Sequence, residues 1–448
     1  MRASDEHGID CPGPVRPRAT DGSFGGRLPD SGGIPAGLVR WCDVQVPSSP
    51  QSRHPSIVRP AIVYAALFTA VGAFVPYMAV FYRSIGMGVE VVGLMAALWA
   101  AAGLVAAPAW GMVADRLGSV RYPLVLAGVW AALAALGLGV LQEPLLVPAF
   151  VVAISAALAG IIPMLDARTV EIVGVDRDRF GRARAWGSVA FVVAALFVGL
   201  LVDRLGPAAL FLVAVPALGL TSAAAGGLLT GGRGRSRMVR PTSSGLSALL
   251  RQRSVALFLG GSIVVWTTVS AFSTFLSLHL VSLGASAQLV GVLWALGAAI
   301  EVPIMFAFPA IARRVSAERL IVAAAVIFAV RTFGFAMTTD LTALFAIAVA
   351  GGPGFALFYV GTVTYVARTT PAHLQTTAQG IFTGTAASVG AIFGALLGGS
   401  LGGVLTLRGM FAVCAVGTVV GAAIVARAIV PARRQVVGQA REALPAGS

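Results

Sequence analysis

The stretch Pro163–Gly187, PMLDARTVEIVGVDRDRFGRARAWG, closes one apolar run and opens the next. Its centre, near Val175, is a charged loop in which Asp176, Arg177, Asp178 and Arg179 follow one another. Asp166 lies about nine positions before that centre and Arg184 about nine after it. In antiparallel helices that rise ~1.5 Å per residue, the two side chains reach the same depth. An isolated charge in hydrocarbon is costly, so an acid and a base at one depth pair up or line a water-filled path. The pair reads in two ways: as part of a ligand site, or as a strut between the fourth and fifth apolar helices.

Composition supports that setting. Of 448 residues, 57% are apolar and 11% charged, and mean hydropathy is +0.88. Water-soluble domains carry about 25% charged residues, so the chain reads as an all-α protein of many membrane crossings. All 32 basic residues are arginine, and net charge is +14. The arginines gather in alternate loops, which is a topology signal and not a nucleic-acid footprint. Cys11, Cys42 and Cys414 lack metal-ligand spacing, and the four histidines are scattered. No phosphate loop or Ser/His/Asp arrangement is present, so neither cofactor nor enzyme chemistry is implied.

Residues 1–56 are rich in Pro, Gly, Ser and Arg without apolar period and read as a disordered tail. Twelve apolar runs follow, each long enough for a ~30 Å hydrocarbon layer. Six fall in 57–229 and six in 255–430, with a basic linker over 230–254 and a tail over 431–448. The linker and the Arg-rich loops read as cytoplasmic, which places both termini inside. A motif recurs: Ser84–Gly93 (SIGMGVEVVG) and Ser282–Gly291 (SLGASAQLVG) lie 198 positions apart, as do Gly111–Arg121 (GMVADRLGSVR) and Pro309–Arg319 (PAIARRVSAER). Two duplicated six-helix halves form a transporter plan, with the solute site near mid-membrane between them.

On these residues the sequence resembles the major facilitator superfamily. The loop Gly111-x-x-x-Asp115-Arg116-x-Gly118-x-x-Arg121 matches its cytoplasmic signature. Gly111 and Gly118 would let the backbone turn tightly. Asp115 would cap a helix or pair with an arginine across the seam, latching the cytoplasmic gate, while the arginines hold the loop inside. Over nearly all of 57–430 the chain is similar to the lactose permease group, which includes 3-phenylpropionate permeases and nucleoside symporters. Phe180-Gly-Arg-Ala-Arg184, the acid Asp166 fourteen residues earlier, Gly72–Pro76 and Val330–Gly334 carry that resemblance. It implies that Asp166 and Arg184 hold substrate hydroxyls and that Arg331 serves proton coupling. The stretches after Arg184 and around Trp294–Val302 look more like the phenylpropionate branch.

Arg184, Gly187, Ser188 and Phe191 share one helical face. Arg184 offers a planar fork to a carboxylate or paired hydroxyls, and Phe191 offers a ring for stacking. Substrate-binding candidates are therefore Asp166, Arg184, Ser188 and Phe191. The histidine and glutamate that move protons in lactose permease are replaced by Gly351 and Gly354. Glu301 with Arg331 is the remaining coupling pair, read either as proton carrier and partner or as a fixed buried ion pair. Gly351-Gly-Pro-Gly354 would loosen or bend its helix, as a hinge or an irregular segment. The expectation is a monomeric transporter in the cytoplasmic membrane, taking a small polar or aromatic-acid solute with a proton. The alternative is an efflux antiporter of the same superfamily. Its partners are the solute, the proton and the lipid bilayer.

Overall fold

The structure, a computed structural model, describes residues 57–174, 177–229, 252–370, 379, 382, 384 and 386–442. The tail expected over 1–56 and most of the linker lie outside these. Helices α1 (Val58–Ser84), α2 (Val89–Leu117), α3 (Arg121–Leu141), α4 (Val147–Val173), α5 (Arg177–Leu205) and α6 (Leu210–Leu228) come first. Then follow α7 (Arg253–Ser282), α8 (Ala287–Arg314), α9 (Ala317–Met337), α10 (Leu341–Gly351), α11 (Pro353–Thr369) and α12 (Ala386–Glu442). No strand occurs among the described residues. Helices suit these runs because every backbone group bonds within its own segment, as hydrocarbon requires.

Together α10 and α11 make one apolar span, Leu341–Arg368. The apolar part of α12, Ala386–Ile429, is 44 residues long, or ~66 Å, enough to cross twice. It breaks at Thr406 (φ 75°, ψ 162°), where the chain turns back. The expected all-α architecture with twelve crossings is therefore what the chain adopts.

The repeat seen in the sequence is a repeated helix–turn–helix. Gly86 and Gly284, 198 positions apart, both take positive φ, at 87° and 90°. Each sits in the same helix ending: Met87 N–H donates to Tyr82 O, and Ala285 N–H to Leu280 O. These left-handed positions strain any residue with a Cβ, which explains why glycine recurs.

The two halves meet at the end bearing these turns. On α2, a Cβ on Gly93 would lie 2.8 Å from the Gly399 Cα of α12. Its repeat partner Gly291, on α8, lies as close to Ala195 of α5 and the Tyr77 hydroxyl of α1. Tyr77 Oη donates to Ala195 O at 2.5 Å, with Ala287 O at 3.3 Å. Asp203, near the end of α5, accepts from the backbone N–H of Ala287 (2.7 Å) and Gln288 (2.9 Å). A carboxylate from one half thus caps the first turn of a helix in the other, where the helix dipole favours negative charge. Asp203→Ala should lower stability in detergent by about 1–2 kcal/mol, with Asp203→Asn intermediate. Thermal unfolding of the purified variants checks this, and a wild-type midpoint for Asp203→Ala would contradict the capping role.

Candidate functional site

Asp166 and Arg184 do meet. Arg184 Nη1 donates to both carboxylate oxygens of Asp166, at 2.7 and 2.9 Å. Tyr64 Oη donates to Asp166 Oδ1 at 2.5 Å, and the Arg184 guanidinium lies 5.9 Å from the Tyr64 ring centroid. Three helices contribute one side chain each. Tyr64 lies six residues into α1, Asp166 seven from the end of α4, and Arg184 seven into α5. At ~1.5 Å per residue the cluster sits about 10 Å in from one end of the bundle. The Arg184 and Asp166 side chains keep 42% and 33% of their surfaces open, so the pair is reachable by water.

Mid-depth holds a different assembly. A cavity of ≈ 410 Å³ is lined by Phe191 of α5, Phe272 and Ser273 of α7, Trp294 and Glu301 of α8, and Arg331 of α9. A second lobe of ≈ 260 Å³ shares Val75, Ser273 and Trp294 with it and adds Phe74, Trp99 and Thr274. Phe191, Glu301 and Arg331 each lie fourteen residues from the start of their helices, or about 21 Å in. Side chains from both halves build the walls. Of the four expected substrate residues only Phe191 lines this chamber; Asp166 and Arg184 lie two helical turns nearer one end. Ser188 lies between them, half-buried, its hydroxyl without a hydrogen bond among the described residues.

Glu301 and Arg331 face the chamber without touching. Neither forms an ion pair among the described residues, so the fixed-pair reading does not describe this conformation. The Arg331 guanidinium stacks 4.3 Å from the Phe272 centroid and 5.3 Å from that of Phe328, and its buried Nε has no partner. Aromatic faces attract a guanidinium but do not neutralise it. The Arg331 stem fills the space over Gly351, where a Cβ would lie 2.8 Å from Arg331 Cγ. Gly351 therefore makes room for this side chain, while Gly352 and Gly354 lie against Ile300 and Phe328. α10 ends at Gly351, and Gly352 keeps helical angles (φ −54°, ψ −41°). Neither Tyr64 nor the chamber walls Phe74, Trp99 and Trp294 were singled out as site residues by spacing alone. Their aromatic character within helices was the available signal.

The expected gate loop is partly revised. Gly118 (φ 59°) does end α2, with Ser119 N–H donating to Ala114 O. Gly111 lies inside α2 and makes no turn, because Gly118 alone supplies the left-handed residue. Asp115 and Arg116 are exposed and form no ion pair among the described residues, while Arg121 lies 5.9 Å from the Tyr122 ring. Among the described residues Asp115 makes no latch, and the close contacts between the halves lie at the opposite end.

A family model described as MFS_1 like family matches residues 57–413. The chain belongs to that family. Maltose permease of Geobacillus stearothermophilus is 27% identical over 340 residues, covering 74% of this chain and 84% of the permease. A probable 3-phenylpropionic acid transporter of Escherichia coli (strain K12) is 26% identical over 323 residues, covering 68% and 81%. The solved nucleoside transporter NupG superposes with a TM-score of 0.74, at 16% identity, over 83% of this chain and 98% of its own. A bacterial homolog to the human lysosomal transporter Spinster, inward-facing and unoccupied, gives 0.66 at 15% identity, over 84% and 97%. The fold of this family member is thus the two-bundle major facilitator fold. It is a multi-pass membrane transporter and not an enzyme.

Two outcomes test the geometry in the transporter. Tyr64→Phe removes a hydrogen bond to a charged, partly open carboxylate and should cost about 1.5 kcal/mol of stability, read by thermal unfolding. Gly351→Ala drives a methyl into Arg331 and should cost about 1–3 kcal/mol. Gly219→Ala, where nothing lies within 4 Å, is the matched control and should leave the midpoint unchanged.

Proposed function

We propose that the protein carries a small polar or aromatic-acid solute, of the sugar, nucleoside or phenylpropionate kind, across the cytoplasmic membrane by alternating access with proton symport. The observation that carries this reading is the mid-depth chamber between the halves, aromatic-walled, faced by an acid and a guanidinium that are unpaired among the described residues. Two relatives named above are a maltose permease and a probable 3-phenylpropionic acid transporter. Arg-rich loops and both termini face the cytoplasm, so the unlatched end is the cytoplasmic one and the end of close contact the external one.

Phe191 and the chamber residues bind the solute. Arg184, held by Asp166 and Tyr64 on the cytoplasmic side, meets it through its remaining N–H groups, with Ser188 between the two levels. Closing of the cytoplasmic end then brings Gly111–Arg121 against the other half, with Asp115 as the latch. Glu301 carries the proton: in the chamber it is exposed to whichever side is open.

Reconstitution into proteoliposomes with an imposed pH gradient tests the cycle. Wild type should accumulate solute on the alkaline side. Glu301→Gln should lose gradient-driven accumulation yet keep solute exchange at a similar rate. Accumulation by that variant equal to wild type would remove Glu301 as the carrier. Extrusion driven by the gradient in place of uptake would favour an antiporter.

A further inference from the structure

Among the described residues that line the two lobes, Glu301 and Arg331 are the only charged side chains. From the elements packed around Glu301 the chamber receives Phe191 of α5, Phe272 and Ser273 of α7, Ala348 of α10, Gly352, and Phe355 of α11; none of these titrates. Tyr82, in the smaller lobe, is the one further ionisable group, and it is buried. Among the described residues the charges of the chamber therefore reduce to one acid and one base without an ion pair between them.

That arrangement admits one negative charge at a time. The guanidinium is fixed: its stem fills the hollow over Gly351 and its plane is held by Phe272 and Phe328, with Nε unsatisfied. In a low-dielectric cavity a fixed cation is balanced by one anion, and a second anion is repelled with nothing left to match it. When Glu301 is ionised, its own carboxylate is that anion. When Glu301 takes a proton, the cation is left for a carboxylate brought by the ligand, and a planar guanidinium suits a carboxylate fork. The smaller lobe supplies the remainder of the site. Phe74, Trp99 and Trp294 form its ring-binding walls, and Trp294 is held by its indole N–H donating to Ser277 Oγ at 2.9 Å. The hydroxyls of Ser273 and Thr274 face the lobe without a partner among the described residues.

We propose that Arg331 is the receptor for the carboxylate of an organic monoanion with a ring-sized apolar body, and that the anion and a proton on Glu301 bind together, one to one. The proposal rests on the symport reading and adds to it a substrate charge and a stoichiometry. One proton enters on Glu301 and one carboxylate enters on Arg331, so the loaded carrier and the empty carrier have the same charge and the cycle moves none. A neutral sugar, by contrast, would leave the guanidinium unmatched whenever Glu301 is protonated.

The test uses the full chain in proteoliposomes, with benzoate, 3-phenylpropionate and 4-hydroxybenzoate as acid probes and maltose and uridine as neutral probes. Acid uptake should follow the pH gradient, be unchanged by a potassium diffusion potential, and take up one proton per anion. Arg331→Gln should weaken acid binding about 10- to 100-fold in a thermal-shift titration, with Arg331→Lys between. Glu301→Gln, a neutral mimic of the protonated acid, should bind the acids at least as tightly as wild type, with affinity no longer falling as pH rises. Gel filtration and the thermal midpoint establish that each variant is folded; should Arg331→Gln fail there, the Glu301→Gln pH profile carries the test. Proton-driven uptake of maltose or uridine with charge movement, or no binding by any acid probe, overturns the proposal while leaving symport in place. No response to the pH gradient with any probe overturns the symport reading itself.

Discussion

Two pairs of helices touch backbone to backbone at one end of the molecule, and the chamber exists because they do. Gly93 and Gly291 are equivalent residues of the internal repeat, and each presents a bare Cα to the opposite half. Neither contact tolerates a side chain, so the halves approach as closely as helices can. At mid-depth, below that contact, both halves line the chamber. The polar groups drawn into the seam are satisfied there. Tyr77 reaches a carbonyl, and Asp203 and Ser286 take three N–H groups of the first turn of α8. A seam with unmet donors would be expensive in hydrocarbon, and here Asp203 meets two of them from the other half while Ser286 and Ala195 supply partners within their own.

The two acid–base pairs differ in how far they are completed. Asp166 has both oxygens engaged by Arg184 and one of them also by Tyr64, so three helices fix it. Such a carboxylate positions its neighbours more than it waits for a ligand. Glu301 and Arg331 share a wall without an ion pair between them, and the guanidinium is steadied by rings that leave its charge in place. An uncompensated charge near mid-depth is unstable unless something else supplies the balance at some point of the cycle. The first pair is thus closed on itself among the described residues, and the second is not.

Much of this was legible before any coordinates. Apolar runs with Arg-rich loops specify helices and crossings, and the 198-residue offset specifies two like halves. The meeting of Asp166 and Arg184 followed from counting along two antiparallel helices. Counting along one helix failed where a face changes neighbours over its length. Arg184 and Phe191 share a stripe on α5, yet two turns separate the cluster from the chamber, and only Phe191 reaches the cavity. Tyr64 sits in a run of apolar and aromatic residues, and its role depends on how α1 docks on α5. Gly111 matched a loop signature but lies inside a helix, because Gly118 had already supplied the left-handed turn. The Gly351–Gly354 run was read as hinge or irregularity, and nothing in its spacing showed that the Arg331 stem fills the space over Gly351. In each case the missing information was tertiary: which side chain of another helix occupies a given face.

One helix ties these levels together. α5 carries Arg184 in the cluster, Phe191 on the chamber wall and Asp203 on the seam, and nineteen residues, about 28 Å, separate the first from the last. A continuous helix of this kind moves as a rod, so its three stations cannot shift independently. Under alternating access, tilting α5 away from α8 would withdraw Asp203 from the α8 N-terminus as it swings Arg184 inward toward the other half. Opening one end and closing the other are then a single motion of one element, and Phe191, near the pivot, moves least. That geometry favours a ring contact at the pivot over a directional hydrogen bond, because stacking survives a small rotation that would break a bond held to ~2.9 Å.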